Sequence, residues 1–136
     1  AMAKRMAQAG ADVILGAHPN VVQGVERIST VRSDGLTYET VVCYSLGCLL
    51  TDARDSENTA CMAVRLEMTY DPAVRRVWPG ALEVTPLYIA RQREDSGIVY
   101  RVVNAQDKQA LEKLTLSEQA AAAQAAERVK NATQEE

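Results

Sequence analysis

Short apolar runs that each stop at a glycine set the frame of this chain. Val13-Ile14-Leu15 is a compact β-prone run closed by Gly16, and Val41 to Tyr44 repeats the arrangement ahead of Ser45-Leu46-Gly47. Both read as buried-type strands whose carboxyl ends open into polar loops. Ligands of open α/β sheets bind at that end of the strands. Before the first run, Met2 to Ala9 has helical spacing, with Ala3, Met6 and Ala9 on one face and Gly10 as its stop. A helix feeding a strand in this way reads as the second half of a βαβ unit, which presupposes an earlier strand. The pattern therefore suggests a piece of a larger α/β protein.

Beyond the first loop, Val21, Val22 and Val25 continue a strand or turn. Arg27 to Val31 and Leu36 to Val42 flank the turn signal Ser33-Asp34-Gly35 and predict a hairpin. Thr51 to Thr59 is a polar loop whose acidic residues Asp52, Asp55 and Glu57 surround Arg54. Solvent exposure or a hard-cation site would both suit that loop. Ala60 to Tyr70 alternates, with Met62, Val64, Leu66 and Met68 on one face, as in a half-buried antiparallel strand. Asp71-Pro72 turns the chain into Val74 to Trp78, and Pro79-Gly80 is expected to break that strand. Ala81 to Ala90 and Gly97 to Val103 are further strands, with Arg91 to Ser96 as their polar connection.

From Asn104 the period becomes helical. Asn104 is the expected cap of a helix reaching Leu114, and Thr115-Leu116-Ser117-Glu118 has capping-box spacing for a second helix from Leu116 to about Asn131. This alanine-rich helix has a weak apolar face and is expected to be poorly anchored. The reading is one partial domain over 1–136, of class α/β (α+β), with a C-terminal helical segment over 104–131.

Composition narrows the partners. A net charge of −3, with no basic cluster interleaved with aromatics, argues against nucleic acid. No apolar run approaches the ~20 residues of a membrane span, and the N-terminus has no apolar signal core. Three cysteines without a C-x-x-C spacing indicate neither a disulfide framework nor a zinc knuckle.

His18, the single histidine, stands just past a strand end. Its imidazole could bind a metal or transfer a proton near neutral pH; it could equally fix the turn before Pro19 through a backbone hydrogen bond. Cys48 sits at the mouth of the second strand. It could pair with His18 as a thiolate–imidazole couple or serve as a small apolar packing residue. Cys43 and Cys61 read as core. Ser45 is expected to hydrogen-bond the loop backbone and Gly47 to permit a close turn, since S-L-G is no nucleophile elbow. Asp12 caps the Gly10 turn or pairs with a base, and Trp78 anchors the second hairpin.

The stretch G-A-D-V-I-L-G-A-H-P-N-V-V-Q-G-V-E, Gly10 to Glu26, followed by V-V-C-Y-S-L-G, Val41 to Gly47, resembles the C-terminal part of the bacterial capsule-synthesis family of the CapA type, associated with poly-γ-glutamate. The likeness covers roughly Ala7 to Leu50. It implies a calcineurin-like metallophosphoesterase fold, a β-sandwich flanked by helices, with metal ligands on loops at strand ends. It also implies a role in synthesis or export of an anionic polymer at the cell envelope, from an outward-facing, membrane-associated parent. Carried over position by position, the metal candidates are His18 and Asn20, with Ser45, Gly47 and Cys48 as substrate-contacting or loop-supporting residues; Gln23 and Glu26 could face the site in such an arrangement or equally lie on a solvated surface. Three positions depart from the pattern: Asn20 replaces a second histidine, Cys48 an asparagine and Leu49 an aromatic. An amide oxygen binds transition ions more weakly than an imidazole does. With the family's upstream ligand motifs outside this sequence, the expectation is a divalent metal in the full-length protein, none bound tightly here, and no catalysis by this chain alone. An anionic polymer or a phosphoester would be the ligand, the missing N-terminal half and further copies of the chain the protein partners. A non-catalytic polymer- or partner-binding module is the alternative.

Overall fold

A computed structural model describes residues 2–52 and 55–134. Arg54 of the acidic loop lies outside the described residues. Among the described residues nine elements follow in order: α1 Met2–Gln8, β1 Val13–Leu15, β2 Val25–Val31, β3 Thr37–Cys43, β4 Ala60–Asp71, β5 Arg76–Glu94, β6 Gly97–Asn104, α2 Lys108–Leu111 and α3 Leu116–Gln134. They form two three-stranded sheets, ordered β1-β3-β2 and β4-β5-β6, so the class is α+β.

In the first sheet β3 is central. It runs parallel to β1, with Val13, Ile14 and Leu15 opposite Val41, Val42 and Cys43, and antiparallel to β2. Thr40 to Cys43 are all buried because α1 packs against this sheet and β5 approaches β3. The hairpin between β2 and β3 turns at Ser33-Asp34-Gly35 as its sequence predicts, with Gly35 at a φ of +77°. Two expectations are corrected here. β1 is not fully buried: Leu15 is 65 % exposed, because β1 is the edge of a small sheet and has a strand on one side only. In α1 the buried pair is Ala3 and Ala7 rather than Ala3, Met6 and Ala9. Residues four apart share a helix face, and alanines let the helix approach the sheet closely. Gly10, at a φ of +116°, ends the helix as expected.

In the second sheet β5 is longer than its sequence suggests. Pro79-Gly80 does not break it, and Arg91 to Glu94 belong to it rather than to a loop. Near Pro79, β5 pairs only with β4, since β6 pairs with Leu87 to Glu94. That segment is therefore a sheet edge, where proline is tolerated. A register shift between Leu66 and Met68 accommodates the turn of the strand and leaves Met68 exposed. Further along, cross-strand bonds from Arg101 to Gln92 and Glu94 hold the polar end of β5 in the ladder.

The sheet's inner face carries the core: Ala60, Tyr88 and Ala90 pack with Leu114, Ala122 and Ala125. The cap of α2 is Asp107, which accepts from the amides of Gln109 and Ala110; Asn104 instead accepts from Gln106. The predicted capping box is present, Thr115 accepting from the Glu118 amide and Glu118 accepting from the Thr115 amide. α3 is also better anchored than its composition suggests. Small side chains bury completely at Ala122 and Ala125, Val129 is 2 % exposed, and Arg128 binds Ser56. Tight alanine packing supplies the contact that a weak apolar face lacks.

Candidate functional site

The two glycine-ended loops meet because β1 and β3 are parallel neighbours, which brings both carboxyl ends to the same sheet edge. From there the His18 loop runs back alongside the second loop through backbone bonds. The Gly16 amide donates to Cys43 O at 2.7 Å, the Gln23 amide to Ser45 O at 3.0 Å, and the Tyr44 amide to Gly24 O at 3.0 Å. Val22 and Leu46 form an isolated antiparallel bridge within this contact. Loop groups that would otherwise lack partners are thereby satisfied.

Both motif glycines are required by close approach. A Cβ on Gly16 would stand 2.1 Å from the carbonyl oxygen of Tyr44, and one on Gly47 would stand 2.7 Å from that of Ala60. Gly47 also has a φ of +81°. Ser45 is 1 % exposed, and its hydroxyl accepts from the Gly47 amide at 3.2 Å, the loop-supporting role its position predicts.

On the loop so anchored, His18 and Asn20 are both exposed and both hold positive φ, 111° and 59°. Such backbone is uncommon outside glycine and, where the surroundings enforce it, clusters at functional sites. Gln23 is exposed and joins the site through its amide. Glu26 accepts a short hydrogen bond from the Tyr44 hydroxyl, and this bond pushes the Tyr44 phenol above its ordinary pKa. A depression beside the loops is lined by Val22, Gln23, Gly24, Tyr44 and Ala132. His18 and Asn20 stand outside it. The sequence reading missed Ala132, which arrives from α3 with no local signal. Tyr44 could have been found, because it lies inside the second motif between the strand and S-L-G.

Cys48 is half-buried and its thiol donates to Leu50 O at 3.1 Å, so its hydrogen bond goes to its own loop rather than to His18. Cys43 and Cys61 are buried, as core residues should be. Asp12 pairs with Arg32 at 2.8 Å; Arg32 also binds the carbonyls of Ala7 and Ala11 and lies 4.1 Å from the centre of the Tyr38 ring. This knot ties α1, the start of β1 and the β2–β3 hairpin together beneath the site. Trp78 is partly exposed, with Arg76 over its ring at 5.3 Å.

As a metal site the arrangement is incomplete. Among the described residues no three His, Cys, Asp or Glu side chains are grouped to hold an ion. His18 and Asn20 offer two donors, whereas catalytic zinc takes about three from protein. These residues do not by themselves fit a catalytic metal.

Residues 1–53 match the family model of the bacterial capsule synthesis protein PGA_cap. This stretch is similar to bacterial capsule synthesis proteins. Both motifs lie inside it, as do β1, the His18 loop, β2, β3 and the S-L-G loop; the second sheet and α3 lie beyond it. No curated protein and no solved structure matches the chain. No helix among the described residues is long and apolar enough to cross a membrane.

Proposed function

We propose that this capsule synthesis chain contributes to making or exporting an anionic envelope polymer of the poly-γ-glutamate type, with the His18 and S-L-G loops as one wall of the site. The observation that carries this reading is the pair of left-handed residues, His18 and Asn20, held outward on a loop bonded to a second loop at the carboxyl end of a parallel strand pair. In this proposal the fold belongs to the calcineurin-like metallophosphoesterase lineage, where ligands come from such loops, and the parent protein faces outward at the envelope. His18 offers a ring N–H and Asn20 its side-chain NH2 to a phosphoester oxygen, or a ring nitrogen and a carbonyl oxygen to a carboxylate-bound cation or a metal completed by other residues. Gly16, Ser45 and Gly47 hold the wall in place. By itself the chain hydrolyses no phosphoester, because two donors leave the charge of a transferring phosphoryl group uncompensated.

The test is titration with Mn²⁺ or Zn²⁺, alongside hydrolysis of a chromogenic phosphodiester, for wild type and His18→Ala. Weak binding that falls to background in the variant, with no turnover, is the expected result. Metal-dependent turnover by the chain, or binding unchanged in His18→Ala, would overturn the assignment of His18.

A second reading, a non-catalytic polymer-binding module, is favoured by a different observation. Arg91, Arg93 and Lys113 line a depression between β5 and the start of α3. Of the acids there, Glu94 is ion-paired to Arg101 and Glu118 is engaged in the helix cap. Such a surface would hold a polyanion without metal. Retention on poly-γ-glutamate in the presence of a chelator, lost on Arg91→Ala/Arg93→Ala, would favour this reading over the first.

A further inference from the structure

The far end of β5 has a partner strand on one side only. β4 pairs with β5 as far as Tyr88, which stands opposite Ala60, whereas β6 continues along β5 to Glu94. The Ile89 amide still donates to Thr59 O at 3.0 Å, but before Thr59 the chain curls into a turn in which the Asn58 amide donates to Asp55 O. Backbone groups of alternate residues in a strand face the same neighbour. The Ile89 amide faces the β4 side, and Pro86 O, which accepts from the Ala105 amide, faces the β6 side. The register with β6 runs without a shift to Glu94. The N–H and C=O groups of Arg91 and Arg93 therefore face the β4 side, where among the described residues no strand pairs with them. A depression of about 520 Å³ follows this edge, with Lys113, Thr115 and Ser117 on its other wall. Its strand wall, Arg91 to Glu94, corresponds to about 13 Å of extended chain.

We propose that this edge takes an extended acidic peptide segment of a partner protein as an added strand, with acidic side chains at alternate positions. Charge selects the occupant. Side chains alternate along a strand, so Arg91 and Arg93 share the face opposite Tyr88 and Ala90, which pack against α3. Both arginines are exposed, and among the described residues neither guanidinium is hydrogen-bonded or ion-paired.

On an added antiparallel strand, the residues directly opposite Arg91 and Arg93 would exchange main-chain bonds with them and present their side chains on the same face, two positions apart. Carboxylates at those two positions would meet the guanidinium groups. The residue between them would stand on the α3 side, where Gln92 Nε2 donates to Lys113 O. The same edge of a second copy is a poor occupant, because it would set arginine against arginine. In this mode of recognition main-chain bonds supply affinity and alternate side chains supply specificity. The inference rests on neither the His18 site nor the polymer. In a γ-linked glutamate chain the amides are two carbons further apart, so such a chain cannot follow the β5 ladder.

The experiment titrates the pentapeptide Thr-Glu-Thr-Glu-Thr, acetylated and amidated, into isotope-labelled chain. Saturable shifts and slowed hydrogen exchange at the Arg91 and Arg93 amides are expected, with the amides of 16–24 unmoved. Arg91→Glu/Arg93→Glu, at two exposed positions, should weaken binding about tenfold. N-methylation of both glutamate amides, which would face β5, should abolish binding. N-methylation of the central threonine amide, which would face away, should leave it unchanged. Undiminished binding of the glutamate-methylated peptide, equal binding of a γ-linked glutamate oligomer of the same charge, or no shift at Arg91 and Arg93 with millimolar peptide would overturn the proposal.

Discussion

Replacing Gly16 by alanine is the sharpest mechanical test of how the His18 loop is held. The added methyl would lie 2.1 Å from Tyr44 O, 2.9 Å from Tyr44 C and 3.3 Å from Tyr44 Cα. All three are backbone atoms of the segment that leaves β3, so no flexible side-chain end can swing away. Relief requires β1 and β3 to separate at their carboxyl ends. That strains packing by about 1–3 kcal/mol and weakens the Gly16 amide bond to Cys43 O, worth about 1 kcal/mol. The stiffer unfolded chain returns about 0.4–1 kcal/mol. The net expectation is a loss of about 2–3 kcal/mol, or roughly 10 °C in Tm for a domain of this size. Gly24 is the matched control on the same loop: its added methyl would meet only Ala132 O, at 3.4 Å, an ordinary contact. Urea unfolding of both variants measures the difference, and amide NMR shifts over 16–24 locate it. If Gly16→Ala were as stable as Gly24→Ala, with the loop shifts unmoved, the close approach to Tyr44 would not be what positions His18.

Arg32→Ala should destabilise by about 2 kcal/mol in thermal unfolding, because it leaves Asp12 without its partner and takes one of two donors from each of the Ala7 and Ala11 carbonyls, at a site where the Arg32 side chain is 13 % exposed; a change below measurement would refute the knot beneath the site. Thr115→Ala should cost about 1 kcal/mol by removing half of the α3 capping box, readable as lost helicity and midpoint, and an unchanged midpoint would count against that cap. Cys61 has its pKa raised from 9.0 to about 11 in the folded state, so its contribution is complete below pH 9 and is lost as pH rises toward 11. Wild type should therefore lose about 2–3 kcal/mol more than Cys61→Ala across that interval, and parallel pH curves would contradict the burial of the thiol. Exposed Val13 and Leu15 on the edge strand β1 predict concentration-dependent self-association; a monomer at high concentration by light scattering would refute it.

Local signals carried much of this architecture. Glycine stops, the Ser33-Asp34-Gly35 turn and the Thr115-x-x-Glu118 box act within a few residues, so α1, the β2–β3 hairpin and the start of α3 were legible. The strand alternation in β4 was also legible. What failed were inferences needing the neighbours of an element. Pro79-Gly80 looks like a breaker until β6 is known to pair elsewhere along β5. Val13-Ile14-Leu15 looks buried until β1 is seen at an edge. The alanines of α3 look weak until their fit against Tyr88 and Ala90 is visible. At the site, the motifs placed His18 and Ser45 on loops at strand carboxyl ends, and the structure added what spacing cannot express: the meeting of those loops, the Gly16–Tyr44 approach, the left-handed backbone at His18 and Asn20, and Ala132 from the far end of the chain.

The central claim is that the His18 and S-L-G loops form one recognition wall for an anionic capsule polymer. Titrating a short γ-linked glutamate oligomer into isotope-labelled chain, with and without Mn²⁺, tests it most directly. The account predicts amide shifts confined to residues 16–24 and 44–48, strengthened by the cation and lost in His18→Ala. Shifts confined to Arg91, Arg93 and Lys113, indifferent to the cation and to His18→Ala, would contradict it.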